Sequence, residues 1–133
     1  MITEPSHESV RRHLQLADEA LGDANYLLND HRLNAAVNRT YYAMFHAVQG
    51  ALIAAKARSP KTHSGAMNLF SRHYISTGRM ARELGKDLQD AYDLRQQSDY
   101  DVYTVVGEAQ VREMIQKADA FVTAVKTLLG RVS

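Results

Sequence analysis

Arg39 and His46 lie seven residues apart in the stretch NRTYYAMFHAVQGALIAAK, residues 38–56. On a helix that spacing places both side chains within about 20° of each other around the axis, two turns apart. A guanidinium offers a fork of donors to a phosphate, and an imidazole takes or gives a proton near neutral pH. Together they suit metal-free RNA hydrolysis. The histidine would deprotonate a ribose 2′-hydroxyl or protonate the leaving oxygen, while the arginine steadies charge on the phosphate. The same pair also fits a plainer role, solvated or tied to a carboxylate across a dimer interface. Tyr41 and Tyr42 read equally as base-stacking rings or as one core ring and one interface ring.

A second stretch, LRQQSDYD at 94–101, places Arg95 where the stripe of Leu84, Leu88 and Ala91 calls for an apolar residue. A cation aimed at a core is costly unless paired. Asp99 stands four residues on, the spacing of a helical ion pair, and Tyr100 is placed to add a hydrogen bond. Arg95 therefore either anchors the end of its helix or joins Arg39 and His46 in one cleft as a second phosphate ligand. Lys61, Thr62, His63 and Ser64 open a further helix, whose free N–H groups suit an anion, although most such ends are simply capped. Arg58 is also near His63, but Pro60 separates them. His7, His13, His31 and His73 show no metal-ligand spacing, and there is no HExxH motif, P-loop or dinucleotide-binding glycine pattern.

The elements that must hold these residues are helices. Val10, Leu14, Ala17, Leu21, Ala24 and Leu28 form one apolar stripe of a long first helix, with Pro5 in its first turn, Thr3 or Glu4 near its cap and a turn at 29–31. The second helix spans about 33–57 and stops before Ser59-Pro60. Val37, Tyr41, Met44, Val48, Ala51, Leu52 and Ala55 make its core stripe. Ala36, Ala43, Ala47, Gly50 and Ala54 form a second stripe of small residues, so this helix is packed on two sides, in the bundle centre or at a dimer interface. A third helix at about 63–75 carries Met67, Phe70 and Tyr74. A fourth at about 80–99 precedes a loop and a fifth lined by Val111, Met114, Ala118, Phe121, Val125 and Leu128. The fold class expected is all-α, a single up-and-down helical bundle of four to five helices forming one domain over 1–133.

Composition bounds the function. The 133 residues carry 16 basic and 15 acidic side chains, a formal charge of +1, so nucleic-acid contact must be local. A short or structured RNA, such as a tRNA loop, fits that balance better than a long strand. With no cysteine, disulfides, thiol catalysis and cysteine-based zinc sites are excluded. The opening MITEPSHESVRR lacks the apolar run of a signal peptide, and no stretch is long enough to span a bilayer, so a cytoplasmic protein is expected.

Taken in order, N-R-x-Y-Y-A-x-F-H-A at 38–47, T-H-S-G at 62–65, R-x-x-x-D-Y at 95–100 and a final A-x-x-F-V at 118–122 resemble the HEPN superfamily (higher eukaryotes and prokaryotes nucleotide-binding) over about residues 8–129. Within it they are similar to the small stand-alone UPF0332-like branch. The resemblance implies a helical bundle pairing as a homodimer and, in many members, a metal-independent ribonuclease. Such a ribonuclease is the toxin half of a toxin–antitoxin pair with a minimal nucleotidyltransferase. The family signature is an arginine and a histidine separated by four to six residues, which Arg39 and His46 meet at the outer limit. In the better-understood toxins that signature lies on a later helix, where this chain has Arg95-Gln-Gln-Ser-Asp-Tyr100, with tyrosine in the histidine's place. A tyrosine, with its high pKa, is a poor base at neutral pH. The resemblance therefore implies Arg39 and His46 as the catalytic pair, with Asn38, Tyr42, Arg95, Asp99 and Tyr100 supporting the cleft. Tyr100 or Tyr103 is then the candidate acceptor of a modification, and the anion-site residues are 61–64. No metal or cofactor is expected, with room for a bound nucleotide. A non-catalytic nucleotide-binding or adaptor module working through the nucleotidyltransferase is the alternative, and a plain structural dimer the third.

Overall fold

The computed structural model describes residues 4–58 and 60–130, with side chains from His7 onward. Five α-helices follow one another: α1 (Glu4–Asn29), α2 (Leu33–Ala54), α3 (His63–Phe70), α4 (Arg82–Tyr100) and α5 (Glu108–Leu128). Among the described residues there is no strand. The first helix begins at or before Pro5, as its fixed φ allows; Thr3 lies outside the described residues.

The stripes read from the sequence are the core. All six stripe residues of α1 are buried, as are Val37, Tyr41, Met44, Val48, Ala51 and Leu52 of α2 and all but Leu128 of the α5 set. Ala55 is only half-buried, because α2 ends at Ala54 and not at 57. The stop comes from the backbone before Pro60 has any effect. Lys56 adopts a left-handed φ of 58°, its N–H bonds to the Ile53 carbonyl, and the Ala57 N–H bonds to Leu52. That is the paired closure of a Schellman motif. His31, with φ 60°, closes α1 in the same way through Leu28 and Leu27.

The small-residue stripe of α2 is covered from within the chain. At Gly50 a Cβ would lie 3.6 Å from the His13 Cβ and 3.7 Å from the Val10 carbonyl oxygen, so α1 approaches closely there. α2 is thus central, touching α1, α3, α4 and α5. Contacts give the directions. His13 meets His46 while Asp23 meets Arg39, so α1 and α2 are antiparallel. Asp18 meets Lys126 while His31 meets Glu108, which sets α5 antiparallel to α1.

One element departs from strict alternation. His63 at the start of α3 bonds to Tyr41, and Tyr74 beyond its end bonds to the Ala51 carbonyl, so α3 runs parallel to α2. The connection 55–62 carries the chain back along α2 before α3 begins. The third helix also widens into a π-helix at Ser71–Ile75, marked by the bond from the Ser76 N–H to the Ser71 carbonyl, and this turn holds Tyr74 inward. α4 begins at Arg82, two residues later than expected, because Ala81 before it is extended, with φ −64° and ψ 145°.

Gly22 sits inside α1 with open space where a Cβ would be. Gly22→Ala should therefore stabilise the fold by about 0.5–1 kcal/mol through helix propensity alone. Thermal melting checks it; a lower melting temperature would mean that another surface packs on that face.

Candidate functional site

Arg39 and His46 project from α2 at the seam with α1. His13 of α1 reaches across, and the two imidazoles stand Nδ1 to Nδ1 at 3.2 Å, with ring centroids 5.4 Å apart. One Nδ1 must carry the proton and the other accept it. Burial pushes both histidines below their usual value near 6.5, and for His46 the neighbouring His13, Arg39 and Arg12 push in the same direction. Positive charge nearby disfavours an imidazolium, so the neutral ring is the resting form at neutral pH. Arg39 faces Asp23 of α1 at 3.7 Å, with side chains 37% and 59% exposed. The carboxylate partner is thus within the same chain, and an exposed pair of that length is weak. Its guanidinium stays available to an anion.

Arg95 belongs to a different group. Its Nε lies 3.1 Å from an Asp99 carboxylate oxygen, as the spacing on α4 anticipated. The angle is poor for a directed bond, so the buried Nε–H has charge contact without a true acceptor. The guanidinium is 5.6 Å from the Tyr41 ring centroid and 5.3 Å from that of Tyr42, within cation–π range. Tyr41 donates or accepts a 2.7 Å bond with His63 Nδ1, and the His63 ring stacks on Phe45 at 4.1 Å, almost parallel. Burial, with a smaller push from Arg95, lowers the His63 pKa. Burial raises that of Tyr41.

Two of the four residues expected at an anion site, Thr62 and His63, are engaged within the fold. Thr62 caps α3, its hydroxyl accepting from the Gly65 N–H at 3.0 Å, and His63 points to the aromatic cluster. Gly65 is required there, because a Cβ would come within 2.8 Å of that hydroxyl and 3.0 Å of Pro60. Lys61 and Ser64 are exposed. Tyr100 is 75% exposed and Tyr103 88%, so Tyr100 adds nothing to the Arg95–Asp99 pair, and aromatic rings of α2 do so instead. Asn38 and Tyr42 are half-buried on the outer side of α2.

The structure therefore separates one expected cleft into two neighbouring groups. His46, His13, Arg39 and Arg12 lie on the α1 side of α2. Arg95, Asp99, His63, Tyr41 and Phe45 lie on the α3 and α4 side, with Tyr42 touching the second. His13 is the functional candidate that sequence reasoning missed. Its spacing from Val10 and Ala17, three before and four after, marks it as a residue on the flank of the buried stripe. A cleft of about 280 Å³ between α4 and α5, floored by Met44, Ala91 and Met114, lies on the opposite side of α2 from His46.

Comparison with known proteins agrees with this architecture. The HEPN domain family matches residues 10–128. A UPF0332 protein of Thermotoga maritima is 40% identical over 85% of this chain and 85% of its own. Two proteins of Methanocaldococcus jannaschii carry toxin names. "Putative toxin MJ0142" is 31% identical over 87% of this chain and 78% of its own. "Putative toxin MJ0605" is 27% identical over 99% and 97%. Among the described residues no helix is long and apolar enough to cross a membrane. The family match runs from the stripe of α1 to the end of α5, and the chain belongs to the HEPN domain family.

Proposed function

We propose that this chain is a toxin-like HEPN protein that cleaves RNA without a metal, using His46, His13 and Arg39. The observation that carries the reading is the imidazole pair at 3.2 Å beside a loosely held guanidinium. With the two Nδ1 atoms committed to each other, Nε2 of His46 takes the proton from a ribose 2′-hydroxyl. The 2′-oxygen attacks the adjacent phosphorus, and Arg39 balances the charge gathering on the non-bridging oxygens. The pair then returns the proton to the departing 5′-oxygen. The products are a 2′,3′-cyclic phosphate and a free 5′-hydroxyl. The names of the two archaeal relatives support the toxin-like part of the reading.

The protein works as a cytoplasmic homodimer restrained by a minimal nucleotidyltransferase, with Tyr100 and Tyr103 as the accessible acceptors of a modification. A second reading, a non-catalytic nucleotide-binding or adaptor module, is favoured by Arg95 alone. The later-helix arginine is held by Asp99 and two tyrosines, and the half-exposed Tyr42 ring offers a face to a base.

The test incubates purified protein with total cellular RNA and a chelator. Cleavage with cyclic phosphate ends, lost in folded His46→Ala and Arg39→Ala variants, is expected. Absence of cleavage by the unsubstituted protein, or cleavage that survives in folded His46→Ala, would overturn the nuclease and move the search to the partner.

A further inference from the structure

The formal charge of +1 conceals a strong polarity. Between Asp30 and Glu83 the sequence has no aspartate or glutamate but eight arginines and lysines. From Glu83 to Asp119 it has nine carboxylates against four cations. The fold gathers most of the positive segment at one end of the bundle. α2 finishes there, the π-helix finishes there, and α4 begins there, as the Tyr74 bond to Ala51 and the packing of Ile75 on Gly85 require. Lys56, Arg58, Arg72, Arg79 and Arg82 emerge at this end, and Lys61 lies on the path back to His63. All six are exposed.

Their pairing sets them apart. Among the described residues none of the six has a carboxylate within 4.0 Å, whereas eight other cations do, from Arg12 on α1 to Lys126 on α5. Helix dipoles account for part of the placement, since Lys56 and Arg72 suit the negative end of a helix. They do not account for Arg82. It is the first residue of α4, at the positive end, where a carboxylate would serve stability better. A cation kept in an electrostatically unfavourable place, among five others that have no carboxylate within 4.0 Å among the described residues (Arg79 lies over the Tyr74 ring instead), points to a polyanion. Large exposed apolar side chains are elsewhere, at Tyr26 and in the 100–105 turn, so contact here is with backbone phosphates and not with bases. From His46 to the end of α2 is eight residues, about 12 Å along the axis. A strand covers that in three to four rises of about 3.4 Å.

We propose that this basic end binds the phosphate backbone of RNA and leads the strand toward the His13–His46 pair. The proposal rests on the nuclease reading only for what happens where the track ends. Its test measures binding of a fluorescein-labelled 2′-O-methyl RNA 15-mer, which lacks the attacking hydroxyl, by anisotropy over a salt series. One variant carries Arg58→Glu, Arg72→Glu and Arg82→Glu; a control carries Arg32→Glu and Arg112→Glu at the opposite end. The triple variant should bind at least tenfold more weakly, with a log–log salt slope shallower by about 2, from three phosphate contacts at about 0.7 each. The control should lie within threefold of the unsubstituted protein. The melting temperature of Arg82→Glu alone should be unchanged or higher, which separates lost binding from lost folding.

Equal weakening in both variants, or no binding at low salt, would overturn the surface. Equally tight binding of a polyglutamate peptide would overturn it too, in favour of an acidic protein partner. RNA cleavage with unaltered binding in the triple variant would remove the surface and leave the nuclease. Binding that depends on the basic end without any cleavage would do the reverse.

Discussion

Asp99→Ala should lower the melting temperature by about 6–10 °C, the equivalent of about 2 kcal/mol in a domain of this size. The Arg95 side chain is 17% exposed and that of Asp99 30%, so the ion pair is mostly out of water without being fully enclosed. Removing one partner of a fully buried pair costs about 3–5 kcal/mol because the other charge is stranded. The exposure here reduces that to about 2. Arg95 cannot turn to another carboxylate, since the groups around it are the faces of Tyr41 and Tyr42 and the Gln96 side-chain oxygen at 3.4 Å. Arg95→Met should cost less, about 1 kcal/mol, because it keeps an unbranched stem against the two rings and leaves Asp99 free to hydrate. The double variant should be less damaged than the sum of the two, with a coupling of about 1–2 kcal/mol. Melting of all four proteins completes the cycle. A melting temperature for Asp99→Ala within a degree of the unsubstituted protein would mean that the cation is held by the aromatic rings alone.

That pair was legible because helical spacing is local. Arg95 follows Leu84, Leu88 and Ala91 on one face, and Asp99 is one turn further on, so both the misplaced charge and its remedy can be read from α4 alone. The stripes of α1 and α5 and the two-sided packing of α2 were legible for the same reason. What sequence could not supply was register between helices. His13 becomes the partner of His46 only because α1 and α2 are antiparallel with Gly50 against Val10 and His13. Arg95 and His46 were expected in one cleft, but α4 packs on the Tyr41 and Met44 side of α2, and a helical wheel of α2 does not say which neighbour takes which side. The direction of α3 was hidden as well, because it depends on a connection that doubles back along α2. The left-handed turn at Lys56, which ends α2 before the proline, was hidden because a non-glycine residue at positive φ carries no clear sequence signal. The charge polarity was hidden by arithmetic, since a near-zero sum says nothing of where the signs lie.

On the proposed nuclease reading, the histidine pair sets the pH response. His46→Ala should reduce RNA cleavage at pH 7 by about 10²–10⁴-fold, the range for losing a positioned acid–base group. His13→Ala should fall nearly as far, because it removes the ring that fixes the His46 tautomer. The unsubstituted protein should stay active at pH 7 and lose activity only at a pH below that of an ordinary imidazole, since burial, His13, Arg39 and Arg12 all lower the His46 pKa. Arg39→Gln removes one of those cations. It should weaken catalysis and also move the acid limb of kcat/KM toward higher pH, a shift that a residue acting only in phosphate binding would not cause. The same depression governs stability. The unfolded chain takes up protons below about 6.5 that folded His13, His46 and His63 refuse, so their contribution is present above that pH and is lost as pH falls through the folded values. Melting temperatures measured from pH 7.5 to 5 should therefore fall toward acid, and a His13→Gln/His46→Gln double variant should show a flatter decline. An acid limb unmoved in Arg39→Gln, with a melting profile as steep in the double variant as in the parent, would detach these histidines from both the chemistry and the acid sensitivity.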